Sequence, residues 1–526
     1  MNTDNKTDKI HNYDESLQKV AIGASVVFIA LFLSLIPNLI AKLIIIRFWT
    51  ESDYGIFSLA FVFFNVGVII SGLGLIQGST RSIAYARGKK EYKKINNLIS
   101  ASIWLSTIVS IISVIFIIFF ADYIANNFFN TPELTTPLRL ISLSIPFFTL
   151  INIISSIFRG FDQIKPTVYF QYLLTNLLFP VLLIIVVIFS PIFVNIFYAF
   201  ILSMVVPCLA FIFYSSKHIS SIKTLFSVKS FLSPTTKEIL IFSLPLLGTA
   251  ALNLIISWTD TLMLGSLKTS FDVGLYNAAH PLARMVSFPL TALLYIFMPV
   301  FSGLYANGKL DEMRRNFIIL TKWLCSATLP LFIILFLFSE EITTILFGKS
   351  YVLSANVLRV VSLAFMINNF AGPSGSTLVV LGKPRFIMYA TLSAAIFNIF
   401  LNILLIPTYG ITGAAIASGV AIVTINLIKN WKLYSLSKVQ PISKNLLKPT
   451  FLLIIITVPI YLISKAFLPI NWLVILFLFI LFYLIFFASM IFSNSIDQED
   501  LRMLVSLEKR TGVKLNFIKK IITKFS

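Results

Sequence analysis

Long apolar runs separated by short hydrophilic gaps dominate this chain, and they leave it few ways to fold. A bilayer's hydrocarbon core is spanned by about 20 apolar residues in a helix. Inside lipid no water reaches the backbone, so each run must satisfy its own N–H and C=O groups as a helix. The runs predict about fourteen spans, the first starting near Val20 and the last near Trp472. No gap between them is long enough for a separate folded domain. Only 12% of the residues are charged, about half the share in soluble domains. With 51 Phe among the 526 residues, the chain carries more apolar surface than one aqueous core could hide.

The first run, Val20 to Ile46, is too long for the apolar part of a cleavable signal, and the polar residues 1–19 before it carry both charge signs. It reads as a retained first span. Lys and Arg orient the rest. With the N-terminus inside, 32 of the 41 basic residues fall on inner segments. Five fall outside (Arg47, Arg139, Lys268, Lys349, Lys465) and four within or at the edge of spans (Lys42, Arg284, Lys322, Arg359). That asymmetry predicts an even span count with both termini cytoplasmic. The net charge of +20 is dispersed between apolar runs, so it suits loops beside anionic lipid and excludes a nucleic-acid partner. Two cysteines, Cys208 and Cys325, and three histidines show no zinc spacing. No metal site or cofactor is expected.

The chain repeats itself. Thr50-Glu-Ser-Asp-Tyr-Gly-Ile-Phe57 is similar to Thr269-Ser-Phe-Asp-Val-Gly-Leu-Tyr276. At nearly the same offset, Tyr85-Ala-Arg-Gly-Lys-Lys-Glu91 matches Tyr305-Ala-Asn-Gly-Lys-Leu-Asp311, and Lys165-Pro166 matches Lys383-Pro384. The repeat holds six spans, an even number, so both copies insert in the same direction, related by an axis along the membrane normal. The predicted fold is therefore all-α and polytopic. A cytoplasmic tail at 1–19 precedes a first six-helix lobe at 20–214 and a cytoplasmic connection at 215–238. A second six-helix lobe at 239–434, two extra spans within 448–493 and a basic amphipathic helix at 497–526 on the inner leaflet follow.

Asp260-Thr-Leu-Met-Leu-Gly265, Val273-Gly-Leu-Tyr-Asn-Ala-Ala279 and Phe297-Met-Pro-Val-Phe-Ser302 resemble the polysaccharide and oligosaccharide flippases of the O-antigen translocase type. These belong to the multidrug/oligosaccharidyl-lipid/polysaccharide exporter superfamily. Tyr54-Gly-Ile-Phe57, Arg159-Gly160 with Lys165-Pro166, and Leu381-Gly-Lys-Pro384 through Gly410-Ile-Thr-Gly413 fit as well, so the resemblance runs through nearly all of residues 20–490. It implies two lobes around a V-shaped central cavity, as in the multidrug exporters. It also implies transfer of a polyprenyl-phosphate- or -pyrophosphate-linked glycan during surface polysaccharide or glycan assembly.

Such a substrate needs cations for phosphate and amides or hydroxyls for sugar. Arg284 is the foremost candidate, because a charge inside a span is costly unless it has work to do and a guanidinium matches phosphate oxygens. Asn277, His280 and Arg284 fall at i, i+3 and i+7 of one predicted helix face, and the repeat offset maps Arg284 onto Asn65. Lys42 maps beside Asp260, so the two are candidates for a gating pair, with Asp260 alternatively binding a coupling Na⁺ or H⁺ and a static salt bridge as the plain reading. Asn253 and Ser257 share a face with Asp260. Arg47 and Arg81, at span ends, could hold substrate at the outer and inner mouths, or simply meet lipid headgroups. Further asparagines in apolar spans (Asn152, Asn176, Asn368, Asn369, Asn398, Asn402) serve interhelical bonding or a sugar path.

Other functions lack their residues. Gly348-Lys349-Ser350 has no upstream glycine of a phosphate-binding loop, and no catalytic Ser/His/Asp set or carboxylate pair converges in a soluble domain. The chain reads as a secondary carrier of the cell membrane rather than an enzyme. Membrane lipids and glycan-assembly enzymes are its expected partners. A lipid II flippase or multidrug exporter of the same superfamily, a membrane-embedded glycosyl-transfer enzyme and an assembly scaffold are the alternatives.

Overall fold

The computed structural model describes residues 33–218, 233–441 and 443–495. The polar tail at 1–19, the start of the first span, most of the connection at 215–238 and the basic tail helix at 497–526 lie outside the described residues. All regular elements among the described residues are helical. Among the described residues, ten helices are long and apolar enough to cross a membrane.

The chain forms two compact units, Met1–Gly274 and Leu275–Ser526. In the first, α1 (33–48) is followed by α2 (Glu51–Gly72), α3 (Leu75–Gly88) and α4 (Tyr92–Tyr123). Then come α5 (Thr135–Ser142), α6 (Ile145–Gly160), α7 (Thr175–Phe189), α8 (Asn195–His218) and α9 (Pro234–Leu267). Helix α10 (Ser270–Arg284) begins in the first unit and continues into the second. The second unit goes on through α11 (Phe288–Ala306), α12 (Leu310–Leu337), α13 (Ser339–Phe347), α14 (Ser354–Phe370) and α15 (Ser374–Val380). It closes with α16 (Pro384–Ser437), α17 (Lys444–Phe467) and α18 (Trp472–Phe492).

Length forces breaks in the longest helices. The 54 residues of α16 would extend about 80 Å at 1.5 Å per residue, far more than a hydrocarbon core of about 30 Å. The helix breaks at Gly410, whose φ of 55° and ψ of −131° are not helical. Between α2 and α3 the break falls at Leu73 and Gly74, both at positive φ. Gly74 is required there twice over. Its φ of 71° suits glycine, and a Cβ would overlap the Ser243 carbonyl oxygen of α9.

Two kinds of surface result. Leu75, Ile99, Ile154, Phe158 and Phe211 pack into the core of the first unit. Phe297, Phe301, Phe317 and Leu433 do so in the second. Elsewhere large side chains face outward: Phe119 is 77% exposed, Phe189 81% and Phe492 84%. Water would not tolerate so broad an apolar belt on a monomer, whereas lipid tails solvate it.

Hydrogen bonds between polar side chains tie the spans together. Gln171 Nε2 donates to Asn152 Oδ1 at 2.7 Å, and Asn38 Nδ2 to Asn176 Oδ1 at 3.1 Å. In the second unit Asn426 Nδ2 donates to Asn368 Oδ1 at 2.8 Å and Asn369 Nδ2 to the Val286 carbonyl at 2.7 Å. At one edge of that unit, Arg359 Nη2 meets Glu340 Oε1 at 2.8 Å and holds that carboxyl below its ordinary pKa.

The sequence repeat reappears as matching local structure. Thr50 caps α2 through a reciprocal box: Asp53 N donates to Thr50 Oγ1 at 3.1 Å and Thr50 N to Asp53 Oδ2 at 3.2 Å. Thr269 and Asp272 build the same box on α10, both bonds at 3.3 Å. The two capped ends lie against each other, with Ser52 Oγ and Ser270 Oγ 2.6 Å apart. A Cβ at Gly55 would overlap the Ser270 carbonyl oxygen, and a Cβ at Gly274 would overlap that of Glu51. Both glycines are therefore fixed by backbone-to-backbone approach. Gly55→Ala and Gly274→Ala should each lower stability by about 1–3 kcal/mol, the usual cost of overpacking. A lowered melting temperature of the purified protein in detergent is the expected reading, and an unchanged one would refute the close approach.

Candidate functional site

Between two tight contacts, α2, α3 and α9 border a cleft of about 350 Å³ within the first unit. At one end stand Gly55 and the start of α10. At the other, Gly74 and Gly78 receive Ser243 of α9, where a Cβ on either glycine would overlap Ser243 atoms. The second contact is reinforced from both sides. The Arg81 guanidinium lies 4.3 Å from the Phe242 ring centroid, and Lys94 Nζ lies 2.8 Å from Glu238 Oε2.

The cleft is polar although α2 and α9 are otherwise apolar. Thr249, Asn253 and Ser257 line it from α9; their four-residue spacing puts them on one stripe of the helix. Asn65 faces from α2, Gln77 from α3, and Trp258 completes the wall. Helix α2 starts at Glu51 and α9 ends at Leu267, both near the capped end. Measured from there at 1.5 Å per residue, Asn65 and Asn253 both sit about 21 Å along their helices.

The hydrogen-bonding capacity of this wall is largely open. Asn65 Nδ2 donates to the Phe61 carbonyl at 2.7 Å and Thr249 Oγ1 to the Leu246 carbonyl at 2.8 Å. Gln77, Asn253 and Ser257 are exposed and have no partner among the described residues. Trp258 is half-buried and edge-on to Phe61, with ring centroids 5.9 Å apart. Among the described residues, no charged side chain lines the cleft. It can therefore bind hydroxyl and amide groups and stack an apolar ring face, but it offers no fixed charge to an anion.

The residues singled out by sequence fall into separate places. Asn65 and Asn253 meet at the cleft. Asp260 is 7% exposed and is not part of its wall, so the face it shares with Asn253 and Ser257 on a wheel divides between packing and cleft. Lys42 is half-buried on α1 and Arg47 exposed at its end. Arg81 is engaged with Phe242. Asn277 and Arg284 belong to the second unit, Asn277 buried and Arg284 exposed at the end of α10. His280 stacks on Tyr276, centroids 5.6 Å apart, and meets Phe365 edge-on.

Gln77, Thr249 and Trp258 escape the sequence reading. The Thr249–Asn253–Ser257 spacing is a readable signal for one of them. Gln77 lies beyond the break at Leu73 and Gly74, which turns α3 in a way that no helical wheel continued from α2 would follow.

Comparison with known proteins agrees with this architecture. A family described as polysaccharide biosynthesis protein matches residues 20–305, and a second, MatE, matches 245–404. Stage V sporulation protein B of Bacillus subtilis is 24% identical over 425 residues, 76% of this chain and 80% of that protein. The probable low-salt glycan biosynthesis flippase Agl15 of Haloferax volcanii is 25% identical over 168 residues, 31% of this chain and 35% of its own length. Among solved structures, the lipid II flippase MurJ in an inward closed conformation superposes with a TM-score of 0.68 at 20% identity, covering 90% of this chain and all of that one. A multi-pass helical membrane protein with this repeat and this match over more than half its length belongs to the polysaccharide biosynthesis protein family.

Proposed function

We propose that this chain is a flippase that carries a polyprenyl-phosphate- or -pyrophosphate-linked oligosaccharide from the inner to the outer leaflet of the cell membrane. The observation that carries this reading is the polar cleft lined by Asn65, Gln77, Asn253, Ser257 and Trp258 in otherwise apolar spans. Amides and hydroxyls gathered on an open wall can exchange hydrogen bonds with the hydroxyl and amide groups of a sugar. The name of Agl15, a probable flippase in glycan biosynthesis, supports the substrate class. The lipid II flippase shares the fold, and it is an alternative beside a multidrug exporter of the same superfamily.

On this reading fourteen spans cross the membrane, with both termini cytoplasmic. Arg284 meets the phosphate, with Lys42 as a second cation. Asp260 and Lys42 gate the path, or Asp260 takes a coupling Na⁺ or H⁺. Arg47 and Arg81 stand near the outer and inner mouths. Alternating access needs contacts that open in turn. The Gly55 end is the outer closure, and the Gly74–Ser243 end with Arg81–Phe242 and Lys94–Glu238 is the inner one. Glycan-assembly enzymes would supply and consume the substrate.

Three measurements test this. Proteoliposomes should flip a fluorescent polyprenyl-pyrophosphate oligosaccharide, and Arg284→Ala should slow flipping roughly tenfold or more, the worth of a charge-assisted hydrogen bond. Extrusion of a cationic dye with no glycan flipping would favour a drug exporter instead. Cysteines at Ser52 and Ser270 should form a disulfide that stops flipping until reductant is added; free flipping by the cross-linked protein would eliminate the outer closure. In membranes, Asn253→Cys should react with a charged thiol reagent while the lipid-facing Ile255→Cys does not. Equal labelling would argue against an aqueous cleft.

A further inference from the structure

The cleft of the first unit has chemistry of its own. Its polar groups are three amides (Asn65, Gln77, Asn253) and two hydroxyls (Thr249, Ser257) beside one indole (Trp258), without a cation among them. At about 350 Å³ it is at the small end of ligand pockets. The sequence repeat sharpens the contrast. Asn65 and Arg284 occupy equivalent positions of the two copies, one a neutral amide and the other a guanidinium. The copies have diverged in charge there, and a glycolipid headgroup likewise has a neutral and an anionic part.

We propose that this cleft is a sugar subsite that takes a neutral hexose-type ring, while the phosphate is held elsewhere. The inference rests on the flippase reading above. Trp258, which lines the cleft, meets the C–H side of the ring. The indole stands T-shaped to Phe61, with an interplanar angle of 68°. Gln77, Asn253 and Ser257, which lack protein partners among the described residues, bond the ring hydroxyls. Asn65 Nδ2 donates to the Phe61 carbonyl, and its Oδ1 accepts no bond among the described residues. An acidic sugar would bring a carboxylate into a wall with no cation to meet it, and is disfavoured. The cleft residues thus determine which glycan is carried, and a pyrophosphate lipid without sugar bypasses them.

The test uses full-length protein in detergent and three probes: a short-chain polyprenyl pyrophosphate, the same lipid bearing N-acetylglucosamine, and the same lipid bearing glucuronate. The wild type should bind the N-acetylglucosamine probe most tightly. Trp258→Leu and Asn253→Ala should each weaken that binding roughly three- to tenfold, the scale of one aromatic contact or hydrogen bond. Neither should alter binding of the bare lipid, whereas Arg284→Ala should weaken both probes alike. Asn253 is exposed, so its truncation leaves the packing intact, and Trp258→Phe should recover much of the lost affinity. Equal wild-type affinity for sugar-bearing and bare lipid would overturn the inference, as would variants that leave the difference untouched. Liposome flipping separates the two levels. Intact glycan flipping with no sugar preference defeats only the subsite; absent flipping of every probe defeats the flippase reading.

Discussion

A polar group inside a bilayer must find its partner within the protein, because the surrounding hydrocarbon offers none. Most of this structure follows from that constraint. It makes every regular element among the described residues helical and sends asparagines to bond across helices, as Asn152 does with Gln171 and Asn368 with Asn426. It also separates the polar residues bonded across helices from those that line the cleft. Asparagines with partners hold the spans together. Gln77 and Asn253 have no partner among the described residues and line the cleft instead.

Packing of small residues sets where that opening falls. Gly74 and Gly78 let α9 come against α3 at Ser243, and Gly55 lets the start of α10 come against α2. Between these contacts Asn65, Asn253 and Trp258 line the cleft. The cleft thus lies between two places where glycines let the helices touch.

Much of the fold can be read from the chain. Apolar run length marks the helices, and the repeat offset predicts that Thr50 and Thr269 play the same part; both cap their helices. Asn65 and Asn253 stand out as polar residues in apolar spans, and they share the cleft. What escapes is whatever depends on a break or on burial. A wheel cannot follow the turn at Leu73 and Gly74, so Gln77 stays hidden. A wheel also cannot tell a buried carboxylate from one facing an opening, so it groups Asp260 with Asn253. Nor does a repeat boundary announce which helices touch: α9 packs on α2 and α3, and the compact units divide within α10, at Gly274.

The meeting of α2 with α10 carries a record of origin. Gly55 approaches the backbone of Ser270, and Gly274 approaches that of Glu51. Gly274 is the repeat copy of Gly55, and Ser270 that of Glu51. Position i touches the copy of j while the copy of i touches j, which is the signature of an isologous two-fold interface. Two identical chains pairing through this surface would make the same contact, so it has the form expected of a dimer later fused into one polypeptide. Fusion frees each half to drift, yet a reciprocal contact does not drift freely, since a larger residue on either side meets the other's backbone. Asn65 and Arg284, also a repeat pair, have no such bond to symmetry and have parted in charge. The pairing is reciprocal where backbones touch, and the sequence differs most in charge where nothing holds the two copies alike.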